Sequence, residues 1–120
     1  MANTSKNNED KIVLGLTEDV AINKQVKKKI IKARIDTGAI TSSIDKELCE
    51  RLKIGPVIKT TTVISSHGRT KRPSVIINVT LKGKTIEGRF TVADRSHMKY
   101  KLLIGQNILK QGFLIDPSIE

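Results

Sequence analysis

Residues 74–93 constrain the fold more than any other stretch. From Ser74 to Lys82, Val75, Ile77, Val79 and Leu81 fall on one side and Asn78, Thr80 and Lys82 on the other, which is the two-residue period of a strand with one buried face. Lys82-Gly83-Lys84 makes a tight turn into Thr85 to Ala93, where Ile86, Gly88, Phe90 and Val92 share a face. The whole reads as a β-hairpin.

Strands dominate the remainder. Ile12 to Leu16 is a short apolar run ending in a polar segment, Thr17-Glu18-Asp19, that suits a turn. In Lys29 to Ile35, Ile31, Ala33 and Ile35 alternate with Ile30, Lys32 and Arg34, and the strand delivers Asp36 at its end. Thr60 to Ser65 is a further strand. Two short helices are expected. Asp45 can cap one running through Lys53, with Leu48 and Leu52 on one side and Gly55-Pro56 as its stop. The other, Gln106 to Gln111, ends at Gly112 before a last strand, Phe113-Leu114-Ile115. The fold class is therefore mostly β with one or two short helices.

A chain of 120 residues fits one domain with one core. The polar start, residues 1–10, is expected to be a disordered arm and residues 11–120 the domain. Cys49 is the single cysteine, so no intramolecular disulfide can form, and a reducing cytoplasm is the expected location. No apolar run approaches membrane-spanning length. The formal charge of +10 favours an anionic partner by long-range attraction. Tyr100, Phe90 and Phe113 are the only aromatic residues, and none sits in a basic cluster of the kind that stacks bases, so nucleic acid is not the partner expected.

The stretch with most chemical content is Ile35-Asp36-Thr37-Gly38-Ala39, where an apolar strand runs out into Asp-Thr-Gly. A carboxylate there can activate water, Thr37 can hydrogen-bond beneath it, and Gly38 lets the backbone turn closely. The same three residue types also make ordinary strand-ending turns. A tripeptide of this composition arises by chance in roughly one chain in fifty of this length.

A second segment, Leu103-Ile104-Gly105-Gln106-Asn107-Ile108-Leu109, is an apolar run closed by glycine and followed by a helix. Together, in this order and at about this separation, the two segments resemble the signature segments of the retropepsin family of aspartic proteases. Asp36-Thr37-Gly38-Ala39 running into Thr41-Ser42-Ser43, the segment Ser65-Ser66-His67-Gly68-Arg69, and Asp94-Arg95-Ser96-His97-Met98 further resemble one branch, the bacterial and archaeal proteins labelled ATP-dependent zinc proteases. The resemblance spans roughly residues 12–117.

It implies a small closed β-barrel of the retropepsin type, homodimeric, with one Asp-Thr-Gly loop from each subunit. Asp36, Thr37 and Gly38 are then the catalytic residues. The loop carrying Ser66, His67 and Gly68 stands where a flap would cover bound peptide, and with Ala39 forms the expected substrate-binding set. Peptide hydrolysis by this route needs two carboxylates sharing one proton, one acting as base toward water and the other as acid toward the carbonyl oxygen, the arrangement for which aspartic proteases are the standard example. One Asp-Thr-Gly per chain leaves the second acid to another copy. Asp94, near a strand end, is expected to be a structural turn or ion-pair residue.

The zinc and ATP of the label find no support in the residues. His67, His97 and Cys49 are scattered without the close spacing of zinc ligands, and no phosphate-binding loop is present; no metal or other cofactor is expected. Relatives in this branch are associated with a ligase that adds glutamates to a ribosomal protein, and a basic protein suits a glutamate-rich peptide substrate. Two other readings stay open: a non-catalytic retropepsin-like dimerisation or binding module with Asp36 structural, and a small basic RNA-binding β protein.

Overall fold

Six strands close on one another to form a barrel in the computed structural model, which describes residues 10–23, 28–66 and 68–120. The elements in chain order are β1 (Ile12–Leu14), β2 (Thr17–Asn23), β3 (Lys28–Ile35), β4 (Ser42–Asp45), α1 (Lys46–Arg51), β5 (Lys59–Ser65), β6 (Gly68–Leu81), β7 (Lys84–Ala93), β8 (Leu102–Ile104), α2 (Gln106–Leu109) and β9 (Phe113–Ile115). Around the barrel the order is β2-β3-β8-β4-β7-β6, and pairing of Val20 with Leu81 and Ile22 with Val79 returns β6 to β2. Closure removes the free edges that an open sheet would expose. Outside the barrel, β5 extends the sheet from β6, and β1 and β9 form a separate parallel pair. The arm expected over residues 1–10 lies, through residue 9, outside the described residues, as does His67.

The hairpin that opened the sequence argument is β6–β7, paired from Ser74↔Thr91 to Leu81↔Lys84. Val75, Ile77, Val79, Leu81, Ile86 and Phe90 are all buried, and they share the core with Ala33, Ile35, Ile44, Leu102, Ile104 and Ile108. Burial of a large aliphatic or aromatic side chain contributes about 1.5–3 kcal/mol, so this one cluster holds the strands and α2 together. Cys49 belongs to it; burial, with Glu50 adding, pushes its thiol above its ordinary range. It is a packing residue.

The helices end two residues earlier than expected, at Arg51 and Leu109, and two strand starts also differ from the sequence reading. The turn expected at Thr17-Glu18-Asp19 sits earlier, at Gly15-Leu16, and Thr17 already begins β2. One local bond and two tertiary partners explain this: Gly15 N–H donates to Glu18 Oε2 at 2.8 Å, Leu16 N–H donates to the Ile119 carbonyl at 2.8 Å, and Lys82 Nζ lies 4.0 Å from Glu18 Oε1. Glu18 is thus accommodated near the start of the strand. Likewise β6 begins at Gly68 rather than Ser74. Its first half pairs only with β5, from Ser65↔Gly68 to Lys59↔Ser74, as a hairpin arm outside the barrel. Arg69-Thr70-Lys71-Arg72-Pro73 therefore shows no buried face to read, and Pro73 falls where the strand passes from β5 to β7.

The first helix starts and stops as its residues direct. Asp45 Oδ2 accepts from Leu48 N–H at 3.3 Å as the N-cap, while Asp45 Oδ1 accepts from Arg95 N–H at 2.7 Å. At the other end Ile54 N–H bonds the Cys49 carbonyl and Lys53 N–H the Glu50 carbonyl, both at 3.0 Å, with Lys53 at φ 56°. That is a Schellman cap with a lysine in the left-handed position. Asp45 is 4% exposed, so its removal strands two buried donors. Asp45→Ala is expected to lose about 2–4 kcal/mol in urea denaturation, whereas Asp45→Asn, which keeps an acceptor, loses less than half as much.

Candidate active site

Asp36 leaves the end of β3 held by the strand beside it. β8 runs parallel to β3, with Ile35 opposite Ile104, and antiparallel to β4, with Ser43 opposite Leu103. The chain thus goes out along β3, loops through residues 36–41 and returns along β4, with β8 filling the space between. Asp36 N–H donates to the Ile104 carbonyl at 2.9 Å, and Ile35 N–H to the Leu16 carbonyl at 2.9 Å. The root of the carboxylate is therefore part of the barrel ladder.

The loop itself is clamped by the start of α2. Gln106 N–H donates to the Ala39 carbonyl at 2.7 Å, Asn107 N–H to the Ile40 carbonyl at 3.1 Å, and Gln106 Nε2 to the Thr37 carbonyl at 2.7 Å. Below these, fully buried Ser42 accepts from Gly105 N–H at 2.9 Å and donates its hydroxyl to Asn107 Oδ1 at 2.8 Å. Asn107 Nδ2 in turn donates to the Arg89 carbonyl at 2.9 Å. A Cβ on Gly105 would stand 2.8 Å from both the Ala39 and Thr41 carbonyl oxygens, so only glycine allows this closeness. The two segments singled out in the sequence meet here.

At the carboxylate, Gly38 N–H donates to Asp36 Oδ1 at 2.9 Å, and a Cβ on Gly38 would approach the same oxygen to 3.2 Å. The hydroxyl of Thr37, expected beneath the carboxylate, makes no hydrogen bond among the described residues; Thr37 is exposed. Asp36 is partly exposed. Beside the loop is a cleft of about 400 Å³ between residues 38–41 and the β5–β6 hairpin, lined across from Ala39 by Thr62, Val63, Ile64 and Arg72. Asp36 and Thr37 lie outside its lining. Ser66 and Gly68 stand at the hairpin tip, where Gly68 adopts φ 105°, and the stem rather than the tip walls the cleft.

Arg95, which the sequence reading grouped with Asp94, closes one side of the cleft. Asp94 instead accepts from Ser96 N–H at 2.9 Å, and its hydrogen bonds with Ser96 hold the carboxyl below the usual range. Burial pushes the Arg95 guanidinium below its ordinary value; Asp45 and Asp36 oppose that shift, and Arg34 and Arg72 add to it. Arg72, Arg95 and the Ser42–Asn107 clamp carried no local signal beyond their places in or beside the quoted motifs. Among the described residues no three His, Cys, Asp or Glu side chains converge.

A closed six-stranded barrel with two short helices and a loop-borne Asp-Thr-Gly defines the retropepsin-like fold. The chain matches, over residues 45–120, the family model described as retropepsin-like aspartic endopeptidase RimB, and it belongs to that RimB-like family. The matched residues begin after the Asp36 loop. Among solved structures it is similar to EIAV protease complexed with the inhibitor HBY-793, at TM-score 0.64 and 28% identity over 78% of this chain and 84% of that one. A Legionella pneumophila protein of unknown function shares the fold at TM-score 0.65 and 22% identity, over 89% of this chain and 94% of that one. Simian foamy virus protease shares it at TM-score 0.57 and 17% identity, over 78% and 91%. Two curated proteins named "Probable alpha-L-glutamate ligase", from Shewanella pealeana and Shewanella halifaxensis, are each 29% identical over 73% of this chain. The chain spans about a quarter of the length of these relatives, as the 25% coverage of each shows.

Proposed function

We propose that the protein is an aspartic peptidase that works as a homodimer, with Asp36 from each copy forming the catalytic pair. The observation that carries this reading is one Asp-Thr-Gly loop per chain, its carboxylate rooted in the barrel and the loop clamped through residues 37–40 by Gln106 and Asn107, beside a cleft of about 400 Å³. Thr37 and Asp36 lie outside the cleft's lining and remain accessible, which suits a site that a second copy completes. In such a pair, two like charges in contact cannot both ionise, so one proton is shared. The ionised partner takes a proton from water as water attacks the peptide carbon; the protonated partner gives its proton to the carbonyl oxygen.

Activity then depends on association. Specific activity is expected to fall on dilution, in step with the dimer fraction from sedimentation; a fully active monomer would sink the proposal. For substrate, the reading extends to acidic peptide tails. It is supported by the formal charge of +10 and by curated relatives named for a glutamate ligase. A polyglutamate peptide should be cut faster than a neutral one at low salt, and the advantage should shrink at high salt as surface attraction is screened. Equal rates for both peptides at both salts would remove the acidic-substrate extension and leave the peptidase untouched.

A further inference from the structure

The cleft beside the Asp36 loop is lined by two arginines, Arg72 from β6 and Arg95 from just beyond β7. Arg95 is a buried charge, 8% exposed. Its backbone N–H is bonded to Asp45 Oδ1 at 2.7 Å and its Nε to the Tyr100 carbonyl at 3.0 Å. These two bonds fix the base and one arm of the side chain. Beside Tyr100, Lys101 Nζ donates to the carbonyls of Arg95, Ser96 and Met98 at 2.9–3.3 Å.

The terminal nitrogens of Arg95 have a different situation. Among the described residues no carboxylate lies within ion-pair distance of them, and Arg95 lines the cleft. A charge this buried is costly unless it is paired. The planar fork of a guanidinium matches a carboxylate's two oxygens. Arg72, half-buried and opposite Thr61 in the hairpin register, supplies a second cation to the same space.

We infer that Arg95 is the specificity-determining residue of the cleft, binding a side-chain carboxylate of the substrate through its terminal N–H groups, with Arg72 as the second donor. The assignment rests on the peptidase reading above. Because two-fold pairing repeats every contact, the Arg95–Arg72 pair occurs once on each side of the Asp36 pair. The substrate must then present an acidic residue on both sides of the bond that is cut. Trimming of an acidic tail stops while a short acidic stub remains.

The test is a scan of a glutamate-rich peptide in which each Glu is replaced in turn by Gln, with cut positions read by mass spectrometry. In the native dimer, one position on each side of the cut bond should lower kcat/KM by roughly 10- to 100-fold, the range for a lost charge-assisted hydrogen bond. In Arg72→Gln and Arg95→Lys the Glu-to-Gln preference at those two positions should collapse toward one. Should Arg95→Lys fail to fold, the peptide scan and Arg72→Gln still decide. Cleavage that is lost in Asp36→Asn but insensitive to every Gln replacement overturns the assignment alone. Sensitivity on one side only overturns the paired arrangement, and no cleavage of any peptide overturns the peptidase reading and the assignment with it.

Discussion

Asp36→Asn is expected to lower peptide hydrolysis by on the order of 10³-fold or more, because an amide can neither hold nor pass the shared proton. The fold should be unaffected. Asn retains an Oδ1 that can accept from Gly38 N–H, the 2.9 Å bond that orients the native side chain, and Asp36 N–H keeps its ladder bond to Ile104. The variant should therefore unfold within a few degrees of the native protein and dimerise as well. Mixing makes the experiment sharper. If native and variant subunits exchange freely at equal concentration, about half of the native subunits are trapped in one-acid dimers, and activity per native subunit should fall to about half. Undiminished activity on mixing would mean that one carboxylate suffices. A native dimer that cuts no peptide would shift the reading to a retropepsin-like binding module.

Gly105→Ala should damage the protein through the same loop by a different route. Gly105 has φ −107° and ψ −170°, an extended conformation open to any residue, so the backbone itself raises no objection. The objection is the 2.8 Å approach of the new Cβ to two backbone carbonyl oxygens, of Ala39 and Thr41. Neither can move without disturbing the 2.7 Å bond from Gln106 N–H to Ala39 or the buried Ser42 network. A cost of about 3 kcal/mol is expected, at the upper end for overpacking, which lowers Tm by roughly 10–20 °C. Cleavage should fall even where the variant is folded, because residues 37–40 lose their clamp. Gly83→Ala is the contrast. Its φ of 83° makes alanine strained, but nothing lies within 4 Å of the added carbon, so a loss of about 1 kcal/mol with activity retained is expected. If both variants lose the same stability and neither loses activity, the clamp does not matter to the site.

Where apolar residues alternate beside tight turns, the sequence could be read directly. The β6–β7 hairpin and the strand ending at Asp36 were legible because each buries one face, and α1 because Asp45 and Gly55 bracket it. By contrast, β4 was not anticipated. Its residues Ser42, Ser43, Ile44 and Asp45 are all buried, yet three of the four are polar, and nothing local reveals that Asn107, Thr91 and Arg95 satisfy them. The start of β2 was hidden for a similar reason, since Leu16 N–H is bonded to the distant Ile119 carbonyl and Glu18 lies beside the distant Lys82.

The amino-acid sequence by itself determined that the chain is mostly β, that one Asp-Thr-Gly ends an apolar strand, and that a glycine-closed apolar segment follows at a distance, because periodicity, caps and turn residues act between near neighbours. Only the tertiary structure decided that β8 slides between β3 and β4, that Gln106 and Asn107 hold the Asp36 loop, and that Arg72 and Arg95 face one cleft. Those facts rest on hydrogen bonds and burial between residues 18 to 69 positions apart, and no local pattern records which distant partner will satisfy a buried polar group.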